Sequence, residues 1–268
     1  MRRALEYLKP FGGVISQHAQ DSNLAGPAAC CHEGETSGRL GLPGWPGAAE
    51  SVIVARDVQL ARHTGSRVHI AHVSTAESVE IIRWAKAKGI AVTAEVTPHH
   101  LALGTELVAD YDPTFKVNPP LRTTTDQESL RAALADGTID AVATDHAPHA
   151  RHDKEHTFEA AAFGMLGLET AFSVVHDLMV TSGRMTMTDL VHRMSVNPAR
   201  IAGLDEHGRG LDVGAPANLV LVDPARRVTV DRAASWSLSR NNPWHGMSFT
   251  GAVHTTILRG RPTAHDRK

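Results

Sequence analysis

The chain of 268 residues is 42% hydrophobic and 21% charged with a formal net charge of −2, an ordinary folded-domain composition that offers no basic face to nucleic acid. Its apolar runs are broken by His, Asp or Lys well short of the roughly 20 residues a membrane-crossing helix needs, and Met1-Arg2-Arg3 leads into no apolar stretch of the kind a secretory leader carries. The two cysteines, Cys30 and Cys31, are adjacent, a spacing that suits neither a disulfide framework nor a zinc ribbon, and the chain reads as cytoplasmic.

In chain order, residues 1 to 10 read as the end of a helix stopped by Pro10, followed by a short strand over 13–18 that closes on His18. Residues 19 to 45, rich in Gly, Pro, Ala and Ser, read as a long loop. Apolar residues at helical spacing predict an amphipathic helix over 47–63. A strand over 67–74 carries His69 and His72, and Ser74-Thr75-Ala76-Glu77 opens a helix that Gly89 stops. The next strand, over 90–96, runs into Thr97-Pro98-His99-His100, and a loop with Lys116-Val117-Asn118-Pro119-Pro120-Leu121-Arg122 precedes a helix over 126–135.

The run Ile139-Asp140-Ala141-Val142 then ends abruptly in Ala143-Thr144-Asp145-His146-Ala147-Pro148-His149. Strand alternating with helix implies a parallel sheet with right-handed crossovers, and polar groups at successive strand ends suggest part of a (β/α)8 barrel. Residues 163 to 205 read as helical, with Leu166, Leu168, Ala171, Val174 and Val175 on one face and a second helix over 187–194. From Gly214 the pattern turns to short strands over 217–223, 228–230 and 253–258, a small β-module. The expected division is a partial barrel over 1–205 and a β-sandwich-like module over 206–268.

His18, His72 and Asp145 each close an apolar strand, so a parallel arrangement would aim all three into one mouth. Two neutral imidazoles and a carboxylate are ligands suited to zinc, with room left for water. Read singly, each has a plainer role: Asp145 could cap the following segment and a lone histidine could sit in a loop. His99, His100, His146 and His149 are open between support for the site, substrate contact and plain loop, and Cys30-Cys31 reads as buried apolar filler.

Five stretches together resemble the type I dihydroorotases of the amidohydrolase superfamily. They are Gln17-His18-Ala19-Gln20-Asp21, His69-Ile70-Ala71-His72-Val73-Ser74-Thr75, Ala94-Glu95-Val96-Thr97-Pro98-His99-His100, Val117-Asn118-Pro119-Pro120-Leu121-Arg122 and Ala143 to His149. The Asn-Pro-Pro-Leu-Arg and Thr-Asp-His-Ala-Pro-His stretches set dihydroorotases apart from hydantoinase and allantoinase relatives better than the metal ligands do. The resemblance implies a metal-dependent hydrolase barrel, of which this chain would hold strands five to eight and the C-terminal module. It implies a site for two zinc ions, with His18 and His72 on the more exposed ion, Asp145 on the other, and Asp145 as general base and acid. Asn118 and His149 would contact substrate, as would the backbone at Phe163-Gly164, and the loop between His149 and Phe163 would act as a lid.

The implied reaction is reversible hydrolysis of the cyclic amide of dihydroorotate to N-carbamoyl-L-aspartate in pyrimidine biosynthesis, with a homodimer or association with aspartate transcarbamoylase as implied partners. The His-x-His pair and the Arg that follow on the family's first strand, an Asn on a later strand and a bridging Asp have no counterpart here; His69-Ile70-Ala71-His72 has the wrong spacing. The chain is therefore expected to be a truncated dihydroorotase that by itself binds metal weakly and turns over slowly, the alternatives being a non-catalytic dihydroorotase-like subunit or a cyclic amidase acting on hydantoin or allantoin.

Overall fold

A computed structural model describes residues 1–265. Four strands, β1 (Val14–Gln17), β4 (Arg67–Ile70), β5 (Val92–Val96) and β6 (Ala141–Val142), pair in that order, every pair parallel. Between β1 and β4 lies a small parallel pair, β2 (Cys31–His32) with β3 (Gly44–Trp45). The connections are helices: Ala48–Thr64 leads into β4, Ala76–Ala87 into β5 and Thr124–Asp136 into β6. This is the α/β crossover plan that the alternation of patterns predicts.

Local chemistry sets the ends of these helices. The Thr75 side chain accepts from the Ser78 amide at the start of Ala76–Ala87, and Thr123 and Asp126 cap Thr124–Asp136 reciprocally. Gly65 and Gly137, both left-handed, end the helices that precede β4 and β6. On β5 the pleat turns Val92, Ala94 and Val96 to the helix layer, where they join Val54, Val58, Ile70, Val79, Ile82, Leu130 and Leu134 in the main core. Its polar members face the other way, and His69 from β4 bridges Thr93 Oγ1 at 2.8 Å and Glu95 Oε2 at 3.0 Å.

The C-terminal module is a three-stranded antiparallel sheet, β7 (Leu219–Thr229), β8 (Ser248–Leu258) and β9 (Arg261–His265). The two strands expected over 217–223 and 228–230 are one, bent at register shifts near Leu221 and Asp223. The module is not apart from the rest: Val230 and Trp244 share a core with Leu103, Val117, Leu121, Met165 and Val174.

Two expectations need correction. Residues 19–45 are not one loop but hold the helices Ser22–Ala25 and Glu35–Leu40 together with β2 and β3, packed around Cys30, Cys31, Leu42 and Phe158. Residues 163–170 are not helical: the helix begins at Ala171, and Leu168 is 63% exposed. The cause is close packing. Gly167 lies so near the Thr144 carbonyl that a Cβ would come within 2.9 Å of it, and Met165 pairs in parallel with His146. The stretch is drawn out as an extended segment beside the Asp145 turn, and an apolar pattern alone does not distinguish that from a helix face.

Candidate active site at the strand ends

The site is built where β1, β4 and β6 stop. His18 directly follows β1, and His72 stands two residues beyond β4. The two rings meet at 2.9 Å between His18 Nδ1 and His72 Nε2, with centroids 4.7 Å apart and planes crossed at 70°. The other nitrogen of His18 lies 2.7 Å from Gln20 Oε1. An amide oxygen only accepts, so in the neutral ring His18 Nε2 carries the hydrogen and Nδ1 turns a lone pair towards His72.

Burial and then the His18 imidazole push His72 below the ordinary histidine pKa, against the pull of the Asp145 and Glu50 carboxylates. His72 is therefore neutral at neutral pH, the form that binds metal. Its Nδ1 is buried with no hydrogen-bond partner.

Backbone strain marks the same two strand ends. His72 has φ 35° and Asp145 φ 45°, left-handed conformations that cost a non-glycine residue about 1 kcal/mol or more and persist where surroundings enforce them. Just beyond His72 the chain is held by Glu50. Its carboxylate accepts from the Ser74 amide at 3.1 Å, the Thr75 amide at 3.2 Å, Thr75 Oγ1 at 3.1 Å and Ser74 Oγ. Arg122, itself buried, donates to Ser74 Oγ at 3.1 Å and to the Trp45 carbonyl at 2.8 Å.

Asn118 joins the histidine pair through Gln20, donating from Nδ2 to Gln20 Oε1 at 3.1 Å, while its own Oδ1 is buried and unpaired. His149 belongs to a second group: its Nε2 donates to the Phe163 carbonyl at 2.8 Å and lies close against Gly164. Asn241 ties this group to the Asp145 turn by donating to the Ala147 carbonyl at 2.9 Å and the Gly164 carbonyl at 3.1 Å.

The structure thus brings His18, His72, Gln20 and Asn118 together and His149 with Phe163 and Gly164, Asp145 acting on His72 through its charge. Among the described residues no three His, Cys, Asp or Glu side chains converge closely enough to hold a metal ion. The donor set nonetheless fits a borderline cation in kind: a converging imidazole pair, one of them neutral and with an orphaned buried nitrogen, and a carboxylate beside it. The remaining histidines sort by contact. His100 is held between Thr97 Oγ1 and the Pro119 carbonyl, and His146 Nδ1 accepts from the Gly167 and Leu168 amides. His99 is fully buried with Nε2 unpaired. The Cys31 thiol is pushed up to about 12, by burial first, the behaviour of inert filler.

Gln20, Glu50 and Asn241 are site residues that sequence reasoning passed over. Gln20 lies in a motif that was legible, and Glu50 shares the buried helix face of Ile53, Val54 and Asp57, where a buried acid signals a partner. Asn241 carries no local signal.

Residues 33–263 match the model of the amidohydrolase family. The chain belongs to the amidohydrolase family. Among curated amidohydrolases, all 268 residues align at 57% identity with a dihydroorotase of Streptomyces coelicolor and at 54% with one of Mycobacterium tuberculosis. The chain spans 62% of the length of each of these relatives. Among solved structures, the L-hydantoinase (dihydropyrimidinase) of Arthrobacter aurescens superposes with a TM-score of 0.89 at 28% identity over 100% of this chain and 60% of its own. The dihydropyrimidinase of Brevibacillus agri has a similar fold, with a TM-score of 0.87 at 23% identity over 100% of this chain and 60% of its own. Among the described residues no helix is long and apolar enough to cross a membrane.

Proposed function

We propose that this chain forms the substrate-binding and part of the metal-binding machinery of a zinc-dependent dihydroorotase. The observation that carries the reading is the meeting of His18 and His72 at 2.9 Å beside two left-handed strand ends, in a chain 57% identical along its whole length to a dihydroorotase. In this reading β1, β4, β5 and β6 are strands five to eight of a (β/α)8 barrel, residues 1–205 its domain and 206–268 the module beside it. Small-molecule chemistry at strand ends agrees with that placement.

With zinc bound, His18 and His72 would hold the more exposed of two ions, and Asp145 would contribute to the other. When bound there, zinc would supply Lewis acidity, the chemistry that lowers the pKa of water and polarises a carbonyl. Asp145 takes the proton of the attacking water and hands it to the ring nitrogen as the amide C–N bond breaks, so that water is divided between the new carboxylate and the freed amide nitrogen of N-carbamoyl-L-aspartate. Asn118 offers its buried, unpaired Oδ1 as an acceptor for an N–H of the ring, and His149 and the Phe163-Gly164 backbone line the ring beside it. The pathway setting is cytoplasmic pyrimidine synthesis, with a homodimer or aspartate transcarbamoylase as the assembly to look for.

The test is turnover of dihydroorotate and of hydantoin by the complete gene product, with metal analysis, alongside His72→Asn and Asp145→Asn. The expected result is dihydroorotate turnover that depends on zinc and falls at least a thousandfold in Asp145→Asn, with zinc content reduced in His72→Asn. Preference for hydantoin would replace the substrate, and full activity without metal would overturn the mechanism.

A further inference from the structure

The segment that runs from His149 to Gly164 is fastened from below by two buried ammonium groups. Lys116 and Lys154 are 2% and 8% exposed, and among residues of their type such burial calls for a set of acceptors. The acceptors here are backbone carbonyls of one short stretch. Lys116 Nζ donates to the Glu159 carbonyl at 2.8 Å and the Ala161 carbonyl at 2.7 Å, and stands 4.3 Å from the centre of the Phe163 ring. Lys154 Nζ donates to the Ala162 carbonyl at 2.8 Å and the Gly164 carbonyl at 3.0 Å, with a longer contact to the Lys116 carbonyl at 3.5 Å.

The Gly164 amide closes the circuit by donating to the Lys116 carbonyl at 2.9 Å. Each ammonium is thereby shared between carbonyls that no helix or sheet would otherwise bring together. Gly164 itself has φ 128° and sits where a Cβ would come within 2.6 Å of Ala147, so only glycine fits this point of the turn.

We propose that Lys116 and Lys154 are positioning residues that clamp the 159–164 turn and so present the Phe163-Gly164 backbone to the dihydropyrimidine ring. The proposal deepens the dihydroorotase reading and rests on it for the identity of the ring. Neither lysine touches the reacting atoms. Their cations act on the turn through its carbonyls, and the turn acts on substrate.

The placement gives fixed attachment points to a segment with little regular structure, a single helical turn at Arg151–Lys154. Within the 149–163 segment Arg151 and His152 near its start are exposed, while the clamp fastens its far end. Loss of either ammonium releases two carbonyls and lets the turn relax away from the ring, which weakens ground-state and transition-state binding alike and therefore raises KM more than it lowers kcat.

The experiment compares Lys154→Met and Lys116→Gln with the unaltered complete gene product in its zinc-loaded form. Hydrogen exchange is followed at the peptide spanning 159–164, thermal unfolding is recorded, and kcat and KM are measured for dihydroorotate. The expected result is exchange at 159–164 faster by tenfold or more in both variants, KM raised about tenfold and kcat within threefold, with Lys154→Arg recovering most of the KM. Unchanged exchange would overturn the clamp, and faster exchange with unaltered KM would overturn its role towards substrate. If the unaltered protein does not turn over dihydroorotate, the substrate reading fails by itself and the exchange arm still decides the clamp. Where one variant does not fold, the other gives both readouts, since each lysine holds a separate pair of carbonyls.

Discussion

At the scale of single residues, the energetics gather at groups buried with either too many partners or too few. Glu50 has four donors on one carboxylate, so Glu50→Gln turns an amide group against N–H and O–H donors that need an acceptor. The expected cost is about 3 kcal/mol in urea unfolding, together with weaker zinc binding as His72 loses its support; a change below 1 kcal/mol would remove Glu50 from that role. His99 has the opposite problem. Burial and, less strongly, the neighbouring His72 push it down to about 3, against 6.5 for an ordinary histidine.

A depressed base binds its proton less readily folded than unfolded, so stability is fully present above pH 6.5 and is lost as pH falls towards 3. The loss from His99 alone approaches about 1.4 kcal/mol per pH unit within that window. His99→Phe is expected to flatten the dependence, measured as the change in urea midpoint between pH 6.5 and 4.5. Of this residue chemistry, His18, His72 and Asp145 were legible because each ends an apolar run in a polar group. Gln20 and Asn241 were not, since an amide at a loop position looks the same whether it is solvated or, like Asn241, ties Ala147 to Gly164.

At the scale of elements, helices were legible where caps and period agree. The expected 47–63 helix is Ala48–Thr64, and the helix opened by Thr75 is Ala76–Ala87. Thr123 shows how much such a signal weighs: it accepts from the Asp126 amide while Asp126 answers to the Thr123 amide, and Thr123→Ala is expected to lower stability by about 1 kcal/mol with no effect on metal content. Reading failed where tertiary packing overrides local pattern. Leu166 and Leu168 have helical spacing with Val174 and Val175, but Met165 pairs with His146 and Gly167 presses on Thr144, contacts that couple positions some twenty residues apart and leave no local trace. The same packing is tested by Gly164→Ala, whose added methyl meets Ala147 in a backbone region closed to alanine. The expected cost is about 2 kcal/mol or more, and a neutral result would mean that the turn at 164 is not held as described.

At the scale of the whole molecule, the parallel sheet and the antiparallel module are joined by a core to which both contribute. Trp244, 1% exposed, packs with Met165 and Val174 from one side and Val230 from the other. Tryptophan fluorescence and far-ultraviolet circular dichroism are therefore expected to report one coincident unfolding transition, and Trp244→Ala to cost about 3 to 5 kcal/mol. Separate transitions would show two units folding on their own. The amidohydrolase membership and the parallel α/β plan were both open to the sequence, the first through clustered polar motifs and the second through alternating periods.

The central claim is that the two converging histidines and Asp145 serve a metal-dependent cyclic amidase acting on dihydroorotate. It is tested most directly by assaying the complete gene product on dihydroorotate before and after zinc removal and restoration, with His18→Asn and His72→Asn in parallel. The account requires activity that is lost with the metal, returns with zinc and is lowered together with zinc content in both variants. Undiminished turnover after zinc removal, or full zinc content and activity in His18→Asn and His72→Asn, would contradict it.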